Sequence, residues 1–345
     1  MDDLLHKLLE VPGVPGYESR VRDLIEAQLP AAVSRETDAM GNLVATIGED
    51  EVPALMFVAH MDEIGFVVSE VRDDGHLKLT PLGGIDPRTA FGRALRIVTS
   101  KGEILGVVGV KPPHLMEERA KETKEVPPVT DFLVDIGASS ADEAADLGVK
   151  VLDFAVLDKS VRMLNGKFVC ARALDDRLGC YVVLRALERL RKDSFEWKVH
   201  FAFSVQEEVG LRGATLLARQ HALDLAFAVD STSAADFPGV PTDRSNAKLG
   251  EGTCLRVLDQ ATVIPPAFRD ELTELAAAEG IPLQLVFGGG GTDARPFQLE
   301  GPRVMSLAFP VRYTHSAVEL AHVDDVEQTI RYVCAIARHY AGGAG

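Results

Sequence analysis

The chain has 345 residues, a length that favours one large domain with an insertion, or two domains, over a single small core. Its content of 46% hydrophobic and 26% charged residues is that of an ordinary soluble globular protein. The formal net charge of −16 excludes nucleic acid and anionic membrane surfaces as expected partners, because binding to phosphate groups requires a basic face.

The N-terminal residues are acidic and amphipathic, and they lack the basic start and the apolar run of a signal peptide. No apolar stretch reaches the length that a membrane-spanning helix needs. Cys170, Cys180, Cys254 and Cys334 show no short metal-binding spacing, which suits buried free thiols in a reducing compartment. We therefore expect a cytoplasmic protein.

The first third of the chain begins with helices and then changes to short strands. Helices are predicted over 1–10 and 17–29, separated by two Pro-Gly pairs. Residues 53–59 are continuously apolar, as in a strand buried on both faces. The charged segment 111–128, bracketed by proline pairs, is predicted to be a long mobile loop, either a spacer or a lid. Around it, β-branched runs between glycine turns predict a small β-barrel with strands at 66–71, 76–80, 94–99, 104–110 and 131–136.

After residue 165, helical and strand patterns alternate, which predicts an α/β fold with a mostly parallel sheet covered by helices. The β-rich block is then an insertion, 67–164, between two parts of one α/β domain, 1–66 and 165–345. The predicted helices are 175–192, 211–221, 266–279 and 323–341. The predicted strands are 197–205, 225–230, 252–258, 282–287 and 303–308.

Polar residues follow several of the predicted buried strands. His60 comes directly after the run 53–59, with Asp62 two residues later, so that both side chains can point to one side of extended backbone. Glu207 and Glu208 follow the strand 197–205, and two adjacent acids in such a place are costly unless a positive group meets them. One acid as a metal ligand and the other as a general base would account for the pair.

Three further acidic or imidazole groups complete this pattern. Asp230 ends the strand 225–230, and His315 follows the strand 303–308. Asp175 and Asp176 open the helix 175–192, where one of them can cap the helix and the other can bridge two metal ions. Because ligand groups collect at the carboxyl ends of parallel strands, the motifs together predict a two-metal hydrolase site.

The formal charges of such a site balance. Two divalent ions carry four positive charges, and Asp175, Glu208, Asp230 and one hydroxide carry four negative ones, which leaves Glu207 free to carry a proton. The glycine-rich segment 288–294 is followed by no lysine, so it does not fit a phosphate-binding loop. It is better interpreted as a wall of a substrate pocket or as a site of backbone ligands, and a plain turn is the alternative.

These motifs resemble those of the cytosolic dinuclear metallo-aminopeptidases, the family of glutamyl, leucyl and lysyl aminopeptidases and the tetrahedral TET peptidases, some of them once labelled endoglucanases. The resemblance extends over nearly the whole chain. It is carried by Ala59 to Phe66, Lys111 to Leu115, Asp135 to Ala138, Ala173 to Arg177, Glu207 to Gly210, Gly291 to Ala294 and Arg312 to Ser316.

The resemblance implies a role for each site residue. His60 and Asp230 would hold one ion, and Glu208 and His315 the other, with zinc favoured over cobalt or manganese. Asp175 would bridge the two ions. The catalytic group would be Glu207, as general base and acid, together with Asp62, which would support His60 and tune the site.

The resemblance also implies a phosphopeptidase-like α/β catalytic domain and a PDZ-like inserted dimerisation domain. Dimers would assemble into a tetrahedral dodecamer, and the activity would be the removal of N-terminal residues from short peptides. Three alternatives stay open from the residues: a related deacylase or carboxypeptidase, a glycosidase using Glu207 and Glu208, and a non-catalytic assembly protein.

Overall fold

The computed structural model describes residues 2–48, 53–241 and 245–342. The strands are β1 (Ser34–Thr37), β2 (Leu43–Ile47), β3 (Ala54–His60), β4 (Gly65–Val71), β5 (Leu77–Leu82), β6 (Ala94–Thr99), β7 (Gly102–Val108), β8 (Val134–Asp135), β9 (Phe154–Leu157), β10 (Arg162–Leu164), β11 (Phe168–Ala171), β12 (Lys198–Ser204), β13 (Leu225–Ser233), β14 (Thr253–Leu258), β15 (Leu283–Phe287), β16 (Arg303–Arg312) and β17 (Glu319–His322). The helices are α1 (Asp3–Glu10), α2 (Ser19–Glu26), α3 (Pro87–Ala90), α4 (Arg119–Glu122), α5 (Ala141–Asp146), α6 (Leu174–Leu190), α7 (Arg212–Gln220), α8 (Pro266–Ala278), α9 (Ala294–Glu300) and α10 (Val323–Ala341).

Eleven strands form one large mixed sheet, with nine of them in the order β1-β2-β12-β3-β13-β16-β17-β11-β10. The central strands β12, β3, β13 and β16 are parallel, while β1, β2, β17, β11 and β10 pair antiparallel at the flanks. Strand β14 pairs antiparallel with β16 and parallel with β15. The predicted α/β class is confirmed, and the parallel centre brings several carboxyl strand ends to one edge of the sheet.

The interior of the sheet is apolar. All seven residues of β3 are buried, so both faces of this strand are covered, as its continuous apolar run predicted. Phe57 on this strand contacts Phe201 and Phe227 on its two neighbours, with ring centroids 6.0 and 5.3 Å apart. Helices α6 and α10 pack on each other and on this sheet, and α7 packs on α9. This packing holds the strand ends in fixed positions.

The six strands from β4 to β9 close into a separate barrel in the order β4-β5-β8-β7-β6-β9. Its core includes Phe66, Leu77, Ile97 and Val134, all fully buried. This agrees with a small inserted barrel, while the bounds 67–164 and the dimerisation role of the insertion remain proposals. Short strand β10 already belongs to the large sheet.

The segment 111–128 contains more local structure than a plain loop. Helix α4 and a 3₁₀ turn at Pro113–Leu115 interrupt it. The first residue of the segment is tied to the end of α4, where Lys111 Nζ donates to Glu122 Oε2 over 3.0 Å. The other carboxylate oxygen of Glu122 accepts the N–H groups of Glu117 and Glu118, so the segment is folded on itself.

The sequence predictions missed several short elements, and they ended two of the central strands too early. The flanking strands β1, β2, β10, β11 and β17 are short, and β1 is exposed throughout, so they lack the long apolar run of a central strand. Strands β13 and β16 extend beyond residues 230 and 308, because they pair with each other as far as Ser233 and Val311. Asp230 therefore lies within its strand. No described helix has the length and apolar character required to cross a membrane.

Candidate metal centre

The carboxyl ends of the central strands border a cleft of about 580 Å³. Strand β3 ends at His60, the turn after β12 carries Glu207 and Glu208, and β13 carries Asp230. The start of α6 and the turn after β16 add two more groups. Six of the seven predicted site residues line this cleft, namely His60, Asp175, Glu207, Glu208, Asp230 and His315.

Asp175 lies between the two histidines. Its Oδ1 is 3.3 Å from His60 Nε2, and its Oδ2 is 3.7 Å from His315 Nε2. Ser231 Oγ donates a hydrogen bond of 2.9 Å to the same Oδ2. Burial works to raise the pKa of Asp175, but the hydrogen bond to His60 and the two imidazole charges outweigh it and hold the pKa at about 2. Asp175 thus stays ionised and presents one oxygen to each imidazole.

One group of donor atoms surrounds each histidine. His60 Nε2 is 3.9 Å from Glu207 Oε2 and 4.0 Å from Asp230 Oδ1. His315 Nε2 is 3.2 Å from Glu208 Oε1. Two ligands of one tetrahedral zinc ion, each roughly 2.1 Å from it, lie about 3.4 Å apart. The separations of 3.2 to 4.0 Å between these atoms are close to this value, so the donor atoms are spaced as metal ligands are.

The electrostatics of the carboxyl groups also fit bound cations. Burial raises the pKa of Glu207 well above its usual range, more than the nearby His60 lowers it. Burial raises the pKa of Glu208 as well, and burial with the Asp175 charge raises the pKa of Asp230 to about 7. Buried carboxylates require a positive partner to remain ionised. Oxygen and imidazole donors of this kind suit zinc, cobalt or manganese.

Asp62, the seventh predicted residue, is fully buried and does not line the cleft. Its backbone carbonyl lies 3.1 Å from His60 Nδ1, and its Oδ1 lies 3.6 Å from the same nitrogen. Both carboxylate oxygens accept backbone N–H groups, those of Glu207 and Glu208, over 3.1 Å. Asp62 therefore connects the imidazole of His60 to the turn that carries the two glutamates.

Asp176 is the capping residue of the Asp175-Asp176 pair. Its Oδ1 accepts the N–H of Gly179 over 3.1 Å, as an N-cap does, and its Oδ2 accepts the N–H of His60 over 3.1 Å. The backbone of Asp175 and Asp176 is not helical, so the regular part of α6 begins after them. This division leaves Asp175 free to face the cleft.

Glu319 is a buried group of the site that the sequence interpretation missed. One of its oxygens accepts the N–H of His315 over 2.7 Å, and the other accepts the N–H of Asp175 over 3.1 Å. Burial raises the pKa of Glu319 to about 8. The one signal in the sequence is an acid within the apolar run 317–321. Glu319 orients two predicted ligands through their backbone.

Buried arginines support the site from beneath. Arg177, which is fully buried, donates to the carbonyl oxygens of Met61, Leu8 and Val11 over 2.7 to 2.9 Å. Glu63 pairs with Arg177 over 3.3 Å and also with Arg172. These contacts fasten the N-terminal helix and the following Pro-Gly break to the strand end that carries His60.

The far wall of the cleft is the glycine-rich segment 288–291, as predicted for a pocket wall. Arg256, only 6% exposed, donates from Nη2 to the carbonyl oxygens of Gly289 and Gly290 over 2.7 and 2.9 Å. A Cβ at Gly288 would meet the guanidinium at 3.3 Å, so glycine allows this close approach. The exposed Arg295 also lines the cleft, whereas no residue of 111–128 does.

Comparisons with known proteins identify the family of this chain. The model of the M42 glutamyl aminopeptidase family matches residues 41–332. The chain is 35% identical to the lysyl aminopeptidase of Pyrococcus furiosus, with 97% of this chain and 96% of that protein covered. It is 33% identical to the glutamyl aminopeptidase of Lactococcus lactis, with 97% and 95% covered.

A solved structure extends the likeness to the whole fold. The TET1 peptidase of Pyrococcus horikoshii, which can assemble into a tetrahedron or a large octahedral shell, is 40% identical to this chain. The two superpose with a TM-score of 0.90 over 97% of this chain and 98% of that one. The chain therefore belongs to the M42 glutamyl aminopeptidase family.

Proposed function

We propose that the protein is a metal-dependent aminopeptidase that removes N-terminal residues from short peptides. The observation that carries this proposal is the position of Asp175 between His60 and His315, with one carboxylate oxygen toward each imidazole. Glu207, a further carboxyl group that is not one of the proposed metal ligands, lies beside His60 in the same cleft. Family membership and this donor arrangement support the same chemistry.

Each histidine would hold one ion together with a carboxylate. In this proposal, His60 and Asp230 form the first set of donors, His315 and Glu208 the second, and Asp175 belongs to both. When bound, two divalent ions in such a site polarise a scissile carbonyl and lower the pKa of a water molecule. The identity of the metal is left open by these donors, with zinc favoured.

Glu207 is proposed as the general base and acid. Its pKa is raised by burial, which brings proton exchange closer to neutral pH than for an ordinary glutamate. It would take the proton of the attacking water and return it to the amine of the leaving peptide. Asp62 would hold the backbone of Glu207 in place and so keep the carboxyl at the cleft.

The cleft also favours an acidic N-terminal residue in the substrate. Arg256 and Arg295 are the charged side chains of its lining outside the donor groups, and both are positive. Arg256 Nη1 makes no hydrogen bond within the described part of the chain, and Asp259 lies 3.5 Å from the guanidinium, measured from Oδ2 to Nε. Free guanidinium N–H donors recognise carboxylates, so we propose that glutamyl peptides are preferred over lysyl peptides.

The activity is tested with aminoacyl-anilides, acylated peptides and carboxymethylcellulose, each with verified metal loading and after removal of metal. We expect metal-dependent hydrolysis of the anilides only. Hydrolysis confined to acylated peptides would instead identify a deacylase on the same donors. Hydrolysis of the cellulose would identify a glycosidase, which requires two carboxyl groups roughly 5–9.5 Å apart across a sugar.

The preference is tested with glutamyl, leucyl and lysyl anilides and the variant Arg295→Gln. Loss of one charge-assisted contact should lower kcat/KM for the glutamyl substrate about tenfold and leave the leucyl substrate unchanged. Arg219→Gln, an exposed arginine on α7 outside the cleft, is the matched control. Equal kcat/KM for all three substrates in the unaltered protein would refute the preference without touching the peptidase activity.

We further propose that the protein forms a homo-oligomer, with dimers building a tetrahedral dodecamer. The barrel supports this because Leu105 and Val107 on β7 are 58% and 45% exposed and form an apolar patch on its outer face that association would cover. Such a shell would admit short peptides and exclude folded proteins. Light scattering at micromolar concentration is the test, and a monomer with full peptidase activity would refute the assembly but not the chemistry.

A further inference from the structure

The turn that carries Glu207 and Glu208 is held by side chains from the N-terminal part of the chain. Four consecutive backbone N–H groups in this turn each donate to a side-chain oxygen. The hydrogen bonds are Val205 N to Asn42 Oδ1 over 3.0 Å, Gln206 N to Glu18 Oε1 over 3.1 Å, Glu207 N to Asp62 Oδ1 over 3.1 Å and Glu208 N to Asp62 Oδ2 over 3.1 Å.

The conformation of the turn explains this arrangement. Gln206 has a φ of +56°, in the left-handed region of the backbone that residues other than glycine and asparagine seldom adopt. A left-handed residue among other conformations turns successive N–H groups toward one side and creates a concave site for anions. Here the carboxylates of Glu18 and Asp62 occupy that side. The strained backbone persists because its surroundings determine it.

Within the site, this turn is the only part to which Glu18 makes a hydrogen bond among the described residues. Its side chain is buried, at 5% exposure, and does not line the cleft, so it has no access to a substrate. Its Oε1 also accepts the N–H of Gly16 over 2.8 Å, which ties the turn to the Pro-Gly break after α1. Asp62, by contrast, contacts His60 as well, so its loss would disturb an imidazole together with the turn.

We propose that Glu18 is a positioning residue that places Glu207 for proton transfer by accepting the N–H of Gln206. The proposal rests on the proposed role of Glu207. The carbonyl groups of the turn accept N–H groups from the residues that follow it, namely Gly213 N to Val205 O over 3.0 Å, Arg212 N to Gln206 O over 3.3 Å, and Gly210 N and Leu211 N to Glu207 O over 2.9 Å. These bonds hold the carbonyl groups, and Asn42 holds the N–H of Val205. The N–H of Gln206, the residue before the general base, is held by Glu18.

The test compares Glu18→Ala with Glu18→Gln in the full-length, metal-loaded protein. Glu18→Ala should lower kcat about tenfold to hundredfold, because a small misplacement of a reacting group has effects of that size, while KM and metal content stay unchanged. Glu18→Gln keeps an oxygen that accepts both N–H groups, so kcat should remain within threefold of the unaltered protein. A general loss of structure would not separate the two variants in this way.

A second readout does not depend on catalysis. In the metal-free protein, amide hydrogen exchange in peptides covering 205–211 should be about fivefold faster in Glu18→Ala, because one hydrogen bond is lost. Exchange elsewhere in the sheet should be unchanged. Glu10→Ala is the control, since Glu10 Oε1 accepts the N–H of Val161 over 3.1 Å in the same N-terminal segment but outside the cleft. It should alter neither kcat nor exchange in this turn.

If Glu18→Ala does not fold, Glu18→Asp is used in its place. Aspartate keeps the carboxyl group, but its side chain is one methylene shorter and does not extend to Gln206 N. This variant should reproduce both effects. A kcat within twofold for the shortened or truncated variant would overturn the proposal, as would unchanged exchange over 205–211. Equal impairment of Glu18→Gln and Glu18→Ala would overturn it as well. Activity that survives Glu207→Gln would refute the proposed role of Glu207 instead, and the exchange result would still report on the turn.

Discussion

The barrel and the edge of the large sheet at the carboxyl ends of its strands differ in the kind of side chain that they bury. The barrel core is apolar, formed by side chains such as Phe66, Leu77 and Ile97. The sheet has an equally apolar centre but ends in a cluster of buried acids and imidazoles. Asp175 and Asp230 lie in that cluster without a lysine or arginine in ion-pair contact among the described residues.

This difference separates the residues that stabilise the fold from the residues proposed to act in catalysis. Burying apolar side chains stabilises a fold, whereas burying like charges costs free energy unless cations meet them. Groups arranged against stability in this way are expected where function requires them. Substitutions in the barrel core should therefore change stability and leave turnover intact, while substitutions at the sheet edge should do the reverse. The predictions below test this separation.

The largest effect is expected for Asp175→Asn. A neutral side chain cannot serve as a charged bridge to two ions, so the variant should lose bound metal and, with it, nearly all activity. Elemental analysis of the purified protein measures this directly. Asp325→Asn is the matched control, because Asp325 is also buried but accepts the N–H groups of Gly250 and Gly252 outside the cleft. Two ions per chain in Asp175→Asn would refute the bridging role.

A stability effect without loss of turnover is expected for Ile97→Ala. Ile97 is fully buried in the barrel, so its truncation should lower the free energy of unfolding by about 2 to 5 kcal/mol. Ile97→Val should cost about 0.5 to 1.5 kcal/mol and serves as the graded control. Urea unfolding measures both, and kcat per metal-loaded chain should not change below the transition. A fall in kcat that follows the loss of stability would break the separation of the two regions.

The smallest effect concerns the other end of the strand that leads to Glu207. His200 on β12 is buried, contacts Thr46 Oγ1 over 2.9 Å, and has its pKa lowered to about 4 mainly by burial. Between pH 6.5 and 4, the imidazole of His200 is protonated in the unfolded chain but remains neutral in the folded chain. Neutral His200 therefore makes its full contribution to the free energy of unfolding above about pH 6.5. This contribution declines as the pH falls toward 4.

His200→Gln removes this titration. Over the interval from pH 7 to pH 4.5, the unaltered protein should lose about 2 kcal/mol more stability than the variant. Urea unfolding at both pH values gives the difference, and comparison with the variant cancels the titration of the cleft acids. Parallel pH profiles for the two proteins would show that His200 is not held neutral by the fold.

The predictable part of the site consists of residues that follow long apolar strands. His60, Glu207 and Asp230 could be identified because a polar group after, or within, a buried run is conspicuous in the sequence. The α/β class and the barrel were predicted from strand and turn patterns in the same way. Short edge strands such as Ser34–Thr37 carry no such pattern, and they were missed.

Several groups that act through backbone hydrogen bonds could not be identified from the sequence, although Asp62 could. Glu18 and Asn42 are ordinary polar residues near the N-terminus, and only the folded chain brings them to the turn after β12. Glu319 and Arg256 are similar cases, because their partners are carbonyl and N–H groups that every residue possesses. Their function depends on long-range contacts between segments and not on a local motif.

The central claim, that Glu207 moves the proton in a site whose metals are held by other residues, is tested most directly by Glu207→Gln. The variant should retain two ions per chain while kcat falls about a hundredfold or more, the usual consequence of losing a general acid–base group. Turnover and metal content are measured on the same preparation. Activity within a few-fold of the unaltered protein, with both ions present, would contradict the account.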